Sequence, residues 1–275
     1  MGSLLRHAGT VTCAALAAVI IWQARHSQPE VLVKFRAEQV EEYCKAGIIG
    51  TGRLFSDEEM AAIRAGLDER ISVATKDGKV RSEDLLNLHF NDTWLLELAS
   101  HPRVLDLASQ LLDSDGVRIF TTRILSKPAR TGYAVPWHQD SNYWPLNPLR
   151  VTSLWLAVDD ADAGNGAMQT INFTVAPTAR SENLPVEQTS KEGGAHFDLN
   201  IRQDAIAPYE DQAVTLVLKR GEASFHDAWL PHNSPPNTSS RRRCAWIVRY
   251  TPASTKLIPG KRKLFGDDYE MLLVR

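Results

Sequence analysis

The sequence predicts a mainly β protein, a sandwich or barrel with helices packed on it. The chain has 275 residues, of which 43% are hydrophobic and 23% charged, as is typical of a folded globular protein. Residues 35–115 carry helical patterns, whereas the rest carries short apolar or β-branched runs separated by turn residues. Because no amphipathic helices separate these runs, a sandwich or barrel is favoured over a doubly wound sheet.

The N-terminal part contains several helix signals. A helix over 38–46 has apolar residues three to four apart and ends at Gly47, which fits a C-terminal cap. A second helix begins at Ser56, where S-D-E-E forms a capping box. Segment 94–99 follows a charged loop, and S-H-P at 100–102 predicts the start of a further helix.

The C-terminal part contains four strand candidates, each apolar or β-branched and bounded by turn residues. They cover residues 117–125, 151–158, 213–218 and 245–250. Segment 181–211 is polar and irregular, which predicts a long surface insertion or lid.

The N-terminal segment has the order of a signal peptide or a short signal anchor. Arg6 and His7 precede the apolar run V-T-C-A-A-L-A-A-V-I-I-W at 11–22, which is shorter than the roughly 17–25 residues that span a bilayer. No A-x-A cleavage site follows, and a leader helix without a targeting role is the alternative.

We therefore expect a leader over 1–30 and one domain over 31–275, with a helical part at 35–115 and a β core at about 116–252. That domain is expected in the cytoplasm, with a signal anchor in a membrane as the alternative, and residues 8–22 are the one segment through which the chain could associate with a membrane.

Charge and cysteine content exclude several classes of protein. Lys and Arg number 31 and Asp and Glu 33, which gives a net charge of −2 and predicts no nucleic-acid partner. The cysteines, at positions 13, 44 and 244, are odd in number and far apart. They exclude a disulfide scaffold and a CxxC zinc module, and they fit a reducing compartment.

Two histidines and a carboxylate form a candidate metal site. His138 and Asp140 stand two residues apart in P-W-H-Q-D, so that on a strand they share one face, and His232 follows in L-P-H-N-S. Two His and one carboxylate on one face of a metal leave the opposite positions open, as in non-haem Fe(II) oxygenases. An H-x-D pair alone is weak evidence, since a single histidine is more often structural.

An arginine run strengthens this interpretation. Arg241–Arg243 follows His232 and leads into the buried-strand pattern C-A-W-I-V. An oxygenase that uses 2-oxoglutarate needs a cation for the distal carboxylate, and arginine binds a carboxylate with two parallel hydrogen bonds. Three arginines alone would fit a solvated basic turn, but together with His138, Asp140 and His232 they favour a cosubstrate site.

These motifs resemble the phytanoyl-CoA dioxygenase family of Fe(II)/2-oxoglutarate oxygenases. The resemblance covers about residues 34–252 and is carried by WHQDSNYWPL, RVTSLWLAVDDADAGNGAM and GEASFHDAWLPHNSPPNTSSRRR, with FRAEQVEEYCKAGIIG and LASHPRVLDLASQLL in the helical part. It implies a double-stranded β-helix core (jelly roll, cupin-like) with flanking helices. It also implies that the protein uses Fe(2+), 2-oxoglutarate and O2.

The resemblance assigns roles to individual residues. His138, Asp140 and His232 would be the catalytic iron ligands, and Arg243 would bind the 2-oxoglutarate carboxylate, with Ser234 as a second contact. Gln139 and Trp155 would approach the cosubstrate, and Arg241 and Arg242 would be turn residues. His226 is a rival metal ligand, but it lacks the Ser, Asn and Arg spacing that follows His232, so we expect it to be structural. Where the family has a P-G-S-H-like turn, this chain reads Q-T-I-N-F at 169–173, so the neighbouring loop and the substrate preference differ.

The implied reaction oxidises an unactivated C–H bond of a small molecule and releases succinate and CO2. Related halogenases have a small residue in place of Asp140, so this carboxylate favours hydroxylation, desaturation or cyclisation. A group of aromatic residues surrounds the iron motif, and we expect most of them to fill the core or rim: Tyr133, Trp137, Tyr143, Trp144 and Phe173. If Tyr143 or Trp144 lined the mouth, the pocket would favour an apolar or ring-bearing substrate.

Two other classes of protein remain open from the sequence. A zinc hydrolase or isomerase could use the same His, Asp and His, but it would not need Arg243 and its activity would not depend on O2. A binding or sensor protein could keep the metal-binding jelly roll without turnover.

Overall fold

The computed structural model describes residues 34–188, 199–259 and 269–275; the expected leader at 1–30 lies outside them. The described α-helices are α1 (Ala37–Ala46), α2 (Asp57–Thr75), α3 (Thr93–Ala99), α4 (Pro102–Leu112) and α5 (Gln203–Ile206). The described strands are β1 (Ile48–Arg53), β2 (Leu85–Leu86), β3 (Val117–Lys127), β4 (Val135–His138), β5 (Leu146–Asn147), β6 (Thr152–Ala157), β7 (Gln169–Thr170), β8 (Val186–Gln188), β9 (Leu199–Ile201), β10 (Val214–Thr215), β11 (Glu222–Asp227), β12 (His232–Ser234), β13 (Arg243–Pro252), β14 (Lys256–Leu257) and β15 (Leu272–Leu273).

Two antiparallel sheets form the β core. The larger has the strand order β1-β11-β6-β13-β3-β15, with β2 also paired to β3, and the smaller has the order β10-β7-β12-β4. Side chains from both sheets line a shared pocket, so the sheets face each other as in a jelly roll. The predicted fold class, a mainly β core with flanking helices, is therefore confirmed.

The larger sheet is buried on both faces. On β13, Trp246, Val248 and Tyr250 point into a core that also contains side chains of α1 to α4. The alternate residues, Ala245 and Ile247, lie in a second core between the sheets. One face of the sheet therefore carries the helices, and the other is available for a site.

Helix ends follow the sequence signals closely. Gly47 ends α1 with φ +78, and the Ser56 side chain accepts a hydrogen bond from the Glu59 backbone at the start of α2. His101, rather than Ser100, is the N-cap of α4, and Pro102 occupies its first turn. The proline fits there because that turn has no partner for the N–H that proline lacks.

Three parts of the chain differ from the sequence-based expectation. β1 lies within the predicted helical part, yet it forms an edge of the larger sheet beside β11. Of the candidate strand at 213–218, only β10 (Val214–Thr215) forms a strand. Val217 is exposed and pairs with no strand in the described region. Within segment 181–211, the described residues 181–188 and 199–211 contain the paired strands β8 and β9 and the helix α5, so these parts are more regular than expected.

No helix within 34–188, 199–259 or 269–275 has the length and apolar character that a membrane span requires. Residues 8–22, the one segment through which membrane association was considered, lie outside these ranges.

Replacing Gly47 with Ala should destabilise the protein more than replacing Gly52 with Ala. Both glycines have positive φ, which costs an L-residue roughly 1–2 kcal/mol. A Cβ at Gly47 would also lie 2.5 Å from the Phe173 ring, whereas nothing lies within 4 Å of a Cβ at Gly52. Thermal unfolding of the two variants measures the difference, and equal losses would contradict the packing argument.

Candidate metal and cosubstrate site

Two neighbouring strands bring the candidate metal ligands together. His138 ends β4 and His232 begins β12, and the two residues are directly paired across these antiparallel strands. Their ring centroids lie 4.1 Å apart. Asp140 opens the short helix that follows β4, and one ligand atom from each of the three residues lies within 4.8 Å of the other two. All three side chains are buried, so the structure brings together the three residues that the sequence singled out.

Backbone contacts orient both imidazoles. His138 Nδ1 lies 2.8 Å from the Pro136 carbonyl oxygen, and His232 Nδ1 lies 2.9 Å from that of Leu230. A neutral ring that donates from Nδ1 keeps its lone pair on Nε2, which is the arrangement of a metal-binding histidine. Burial keeps the rings neutral, because it lowers the pKa of His138 to about 3 and also lowers the pKa of His232.

Asp140 is ionised in this site. Burial opposes its ionisation, but the positive charge of the Arg249 guanidinium outweighs that effect, and the pKa of Asp140 is lowered to about 2. Arg249 Nε lies 3.4 Å from Asp140 Oδ2. The sequence-based analysis did not identify Arg249, although its position six residues after Arg243 on a predicted strand places both on one face.

A pocket extends from the paired histidines to Arg243. Its walls come from strands of both sheets, and its lining combines arginines and imidazoles with apolar side chains: Arg123, Leu125, Val135, His138, Trp155, Met168, His226, His232, Asn233, Ser234, Arg243, Ile247 and Arg249. Two of the three candidate metal ligands, His138 and His232, therefore line the same pocket as the buried cation Arg243.

Arg243 has unused hydrogen-bonding capacity. The residue is 1% exposed, and its Nη2 donates to the Gly166 carbonyl and to Ser234 Oγ, both at 3.0 Å. Its Nε and Nη1 have no hydrogen-bond partner within the described protein. A buried guanidinium needs an anionic or polar partner, and a carboxylate matches its planar donor pair. The residues present thus fit the distal carboxylate of 2-oxoglutarate.

Ser234 and Trp155 lie beside this guanidinium. Ser234 Oγ donates to the Gly166 carbonyl at 2.8 Å, and the Arg243 guanidinium carbon lies 5.4 Å from the centre of the Trp155 ring system. Gly166 has φ +77, and a Cβ there would meet the Pro235 carbonyl oxygen at 2.5 Å. The Pro235 carbonyl oxygen can lie this close to position 166 only because the residue there is glycine.

Gln139 does not reach the pocket. Its Nε2 donates to the carbonyl oxygens of Ala179, Glu182 and Trp229, and its Oε1 accepts from the Leu184 amide. Consecutive strand residues face opposite sides, so Gln139 points away from its neighbour His138. Instead of the expected cosubstrate contact, Gln139 holds the loop around 179–184 in place.

His226, which was expected to be structural, lies beside the candidate metal ligands. It lines the pocket on β11, and its ring centroid is 5.1 Å from that of His232. It does not belong to the group of ligand atoms formed by His138, Asp140 and His232.

Arg241 and Arg242 lie away from the pocket, which fits their expected place in a turn. Arg241 pairs with Asp162 at 2.6 Å, and Arg242 pairs with Asp159 at 2.7 Å. These ion pairs join the turn before β13 to neighbouring loops.

The aromatic residues near the iron motif have structural contacts, and none of the five appears in the pocket lining drawn from the described residues. Tyr143 donates to the Leu199 carbonyl, and Trp144 packs edge-to-face on Phe120. Tyr133 donates to Asp84, and Trp137 donates to Glu210. Phe173 is buried in the core that β9 and α5 share. These contacts agree with the expectation that the aromatic residues fill the core or rim.

A jelly roll with this triad and this buried arginine defines a class, the non-haem iron oxygenases that use 2-oxoglutarate. The sequence profile described as phytanoyl-CoA dioxygenase (PhyH) matches residues 43–245. The chain belongs to this family. It is a 2-oxoglutarate- and iron-dependent dioxygenase that uses Fe(2+), 2-oxoglutarate and O2 and oxidises a small-molecule substrate.

Known relatives agree with this assignment. The ectoine dioxygenase of Bordetella bronchiseptica is 25% identical over 248 residues, which cover 82% of this chain and 78% of the relative. The L-proline trans-4-hydroxylase of Streptomyces griseoviridis is 26% identical over 230 residues, which cover 76% of this chain and 83% of the relative.

Solved structures share the fold. The non-heme monooxygenase ThoJ matches with a TM-score of 0.68 at 21% identity, covering 86% of this chain and 83% of that protein. EvdO2 from Micromonospora carbonacea, complexed with 2-oxoglutarate, matches with a TM-score of 0.66 at 22% identity, covering 84% and 96%.

As the pH rises, the native protein should become more stable relative to a Lys127→Met variant. Lys127 is fully buried, and burial, assisted by the charge of Arg243, lowers its pKa from 10.5 to about 6. Between these values the unfolded chain binds a proton that the folded chain does not, so this group makes stability rise with pH.

Melting temperatures of both proteins from about pH 6 to pH 9 measure this effect. Lys219→Met is the matched control, because it removes an exposed lysine instead of a buried amine. A native-minus-variant difference that stays constant or falls with pH would contradict the lowered pKa of Lys127.

Proposed function

We propose that His138, Asp140 and His232 bind the iron and that Arg243, with Ser234 and Trp155, binds the distal carboxylate of 2-oxoglutarate. The observation that carries this proposal is the buried Arg243 guanidinium, whose Nε and Nη1 lack partners in a pocket shared with His138 and His232. When bound, iron and 2-oxoglutarate supply the oxidising chemistry, with release of succinate and CO2.

The protein supplies charge and orientation around these groups. The neutral imidazoles present Nε2, and Asp140 supplies the negative charge that a divalent cation requires. Burial lowers the pKa of Arg243 to about 10, so the guanidinium remains protonated at neutral pH. The apolar side chains of Leu125, Val135 and Ile247 line the pocket and reduce its access to water, which strengthens the attraction between Arg243 and a carboxylate.

The reaction that we propose is hydroxylation, or another C–H oxidation, rather than halogenation. Halogenases of this type have a small residue where this chain has Asp140. Here the carboxylate is held beside both histidines, with its Oδ1 3.8 Å from His138 Nε2.

We propose that the substrate is a free small molecule, in a step of specialised metabolism. Tyr143 lies behind His138, with ring centroids 6.5 Å apart, and Trp144 packs against Arg249 and Phe120. Neither residue lines the pocket, so they do not support an aromatic mouth. L-Proline and ectoine, the compounds in the names of two relatives, are the first to test with this chain.

We also propose that residues 31–275 form one catalytic domain. Helices α1 to α4 share a single buried core with strands β3, β6, β11 and β13, which supports folding as one unit.

Replacing Arg243 with Ala should weaken 2-oxoglutarate binding about 30-fold or more, since losing one partner of a buried charge pair costs roughly 2–5 kcal/mol. The measurement is an anaerobic titration with Fe(II) and 2-oxoglutarate that follows the metal-to-ligand charge-transfer band. Arg241→Ala is the matched control, because Arg241 is exposed and pairs with Asp162. Unchanged 2-oxoglutarate affinity in Arg243→Ala would refute the proposed cosubstrate site.

Replacing Asp140 with Ala should abolish substrate-dependent succinate release, because the metal loses its one anionic ligand. Asp160→Ala is the control, since this carboxylate is exposed and pairs with Lys219. Turnover at the native rate in Asp140→Ala would refute the role of Asp140 as an iron ligand.

A further inference from the structure

Arg249 contacts the side chain that we propose as the carboxylate ligand of the iron. It lies on β13 with its side chain 11% exposed, and its Nε is 3.4 Å from Asp140 Oδ2. The other oxygen, Oδ1, lies 3.8 Å from His138 Nε2. The two oxygens of one carboxylate therefore have different neighbours, a cation on one side and an imidazole on the other.

The Arg249 guanidinium is itself held from two sides. Its Nη1 donates to Thr121 Oγ1 at 3.2 Å, and Thr121 is the residue paired with Arg249 across β3 and β13. Its guanidinium carbon lies 5.1 Å from the centre of the Trp144 ring system, and Trp144 packs edge-to-face on the buried Phe120. An arginine fixed by a hydrogen bond and by stacking can direct a carboxylate more precisely than a free surface arginine can.

We propose that Arg249 is a positioning residue that fixes Asp140 so that Oδ1, and not Oδ2, faces the iron. The inference rests on the proposed role of Asp140 as an iron ligand. Arg249 contacts Oδ2, leaves Oδ1 beside His138, and compensates the charge of the buried carboxylate. Partners of metal ligands commonly act in this way, and their loss typically costs about 10–100-fold in metal affinity or activity.

The position of Arg249 also connects the metal ligands to the cosubstrate site. Arg243 and Arg249 both line the pocket and lie on the same strand, β13. A single strand thus sets the distance between the cation proposed for 2-oxoglutarate and the cation that holds Asp140.

The test measures Co(II) binding without 2-oxoglutarate, because Co(II) tolerates air and its visible absorption reports its ligand set. Arg249→Met should weaken Co(II) binding about 10–100-fold and change that spectrum. Arg118→Met is the matched control, because Arg118 lies on the neighbouring strand β3 but donates to the Ala253 and Met271 carbonyls. Its Co(II) affinity should equal that of the native protein.

A double-mutant cycle separates positioning from a general structural role. In an Asp140→Asn background, Arg249→Met should change Co(II) affinity by less than about 3-fold, because its target carboxylate is already gone. An equal loss in both backgrounds would mean that Arg249 acts through the fold, and it would overturn the proposal. Should Arg249→Met fail to fold, Arg249→Gln takes its place, and native affinity in either neutral variant would also overturn it.

The same experiment distinguishes failure of this inference from failure of the proposed iron site. If Asp140→Asn binds Co(II) as tightly as the native protein does, the role of Asp140 as a ligand is wrong. If Asp140→Asn loses Co(II) but the neutral Arg249 variants keep it, only the positioning role fails.

Discussion

The burial of strand β13 on both faces is the constraint on which the rest of the structure depends. One set of its side chains, Trp246, Val248 and Tyr250, packs under the helices. The alternate set places Arg243, Ile247 and Arg249 in the pocket. Because successive residues on a strand face opposite sides, the same ten residues serve both stability and chemistry. A shift of one residue in the pairing of β13 would exchange the two sets, so the helical layer also fixes the position of the site.

Buried charge in the pocket is arranged so that the arginines have different partners. Arg249 contacts Asp140, and Arg123 pairs with Asp84 at 3.1 Å. Arg243 contacts one carbonyl and one hydroxyl and keeps two nitrogens without a protein partner. A buried cation without a counter-charge is costly, so the protein holds Arg243 in a state that an incoming carboxylate stabilises. This difference separates Arg243, for which we propose a ligand-binding role, from the arginines whose partners are carboxylates of the protein.

The sequence contained most of the site because its chemistry depends on local spacing. His138 and Asp140 were detectable as an i, i+2 pair, and Arg243 stood at the start of a recognisable buried strand. The same alternation rule excludes Gln139 from the pocket and includes Arg249, so both could have been assigned from the sequence. β1 was harder to detect, since I-I-G-T-G-R contains two glycines and is a strand only because it pairs with β11. The approach of His226 to His232 depends on how the two sheets face each other, which no local pattern reports.

The pairing of β3 with β13 explains how the end of the pocket that we propose for the cosubstrate is built. Lys127 is the residue directly opposite Arg243, so two basic side chains meet in a buried position. Two adjacent buried charges would repel each other, but burial lowers the pKa of Lys127 to about 6, which leaves the amine neutral at pH 7. The amine still donates to the Ser234 and Pro235 carbonyls at 3.0 and 2.5 Å. Lys127 therefore holds the turn that carries Ser234, while Arg243 remains the charged partner for an anion. A second permanent cation at position 127 would attract anions more strongly, but it would destabilise the folded protein when no anion is bound.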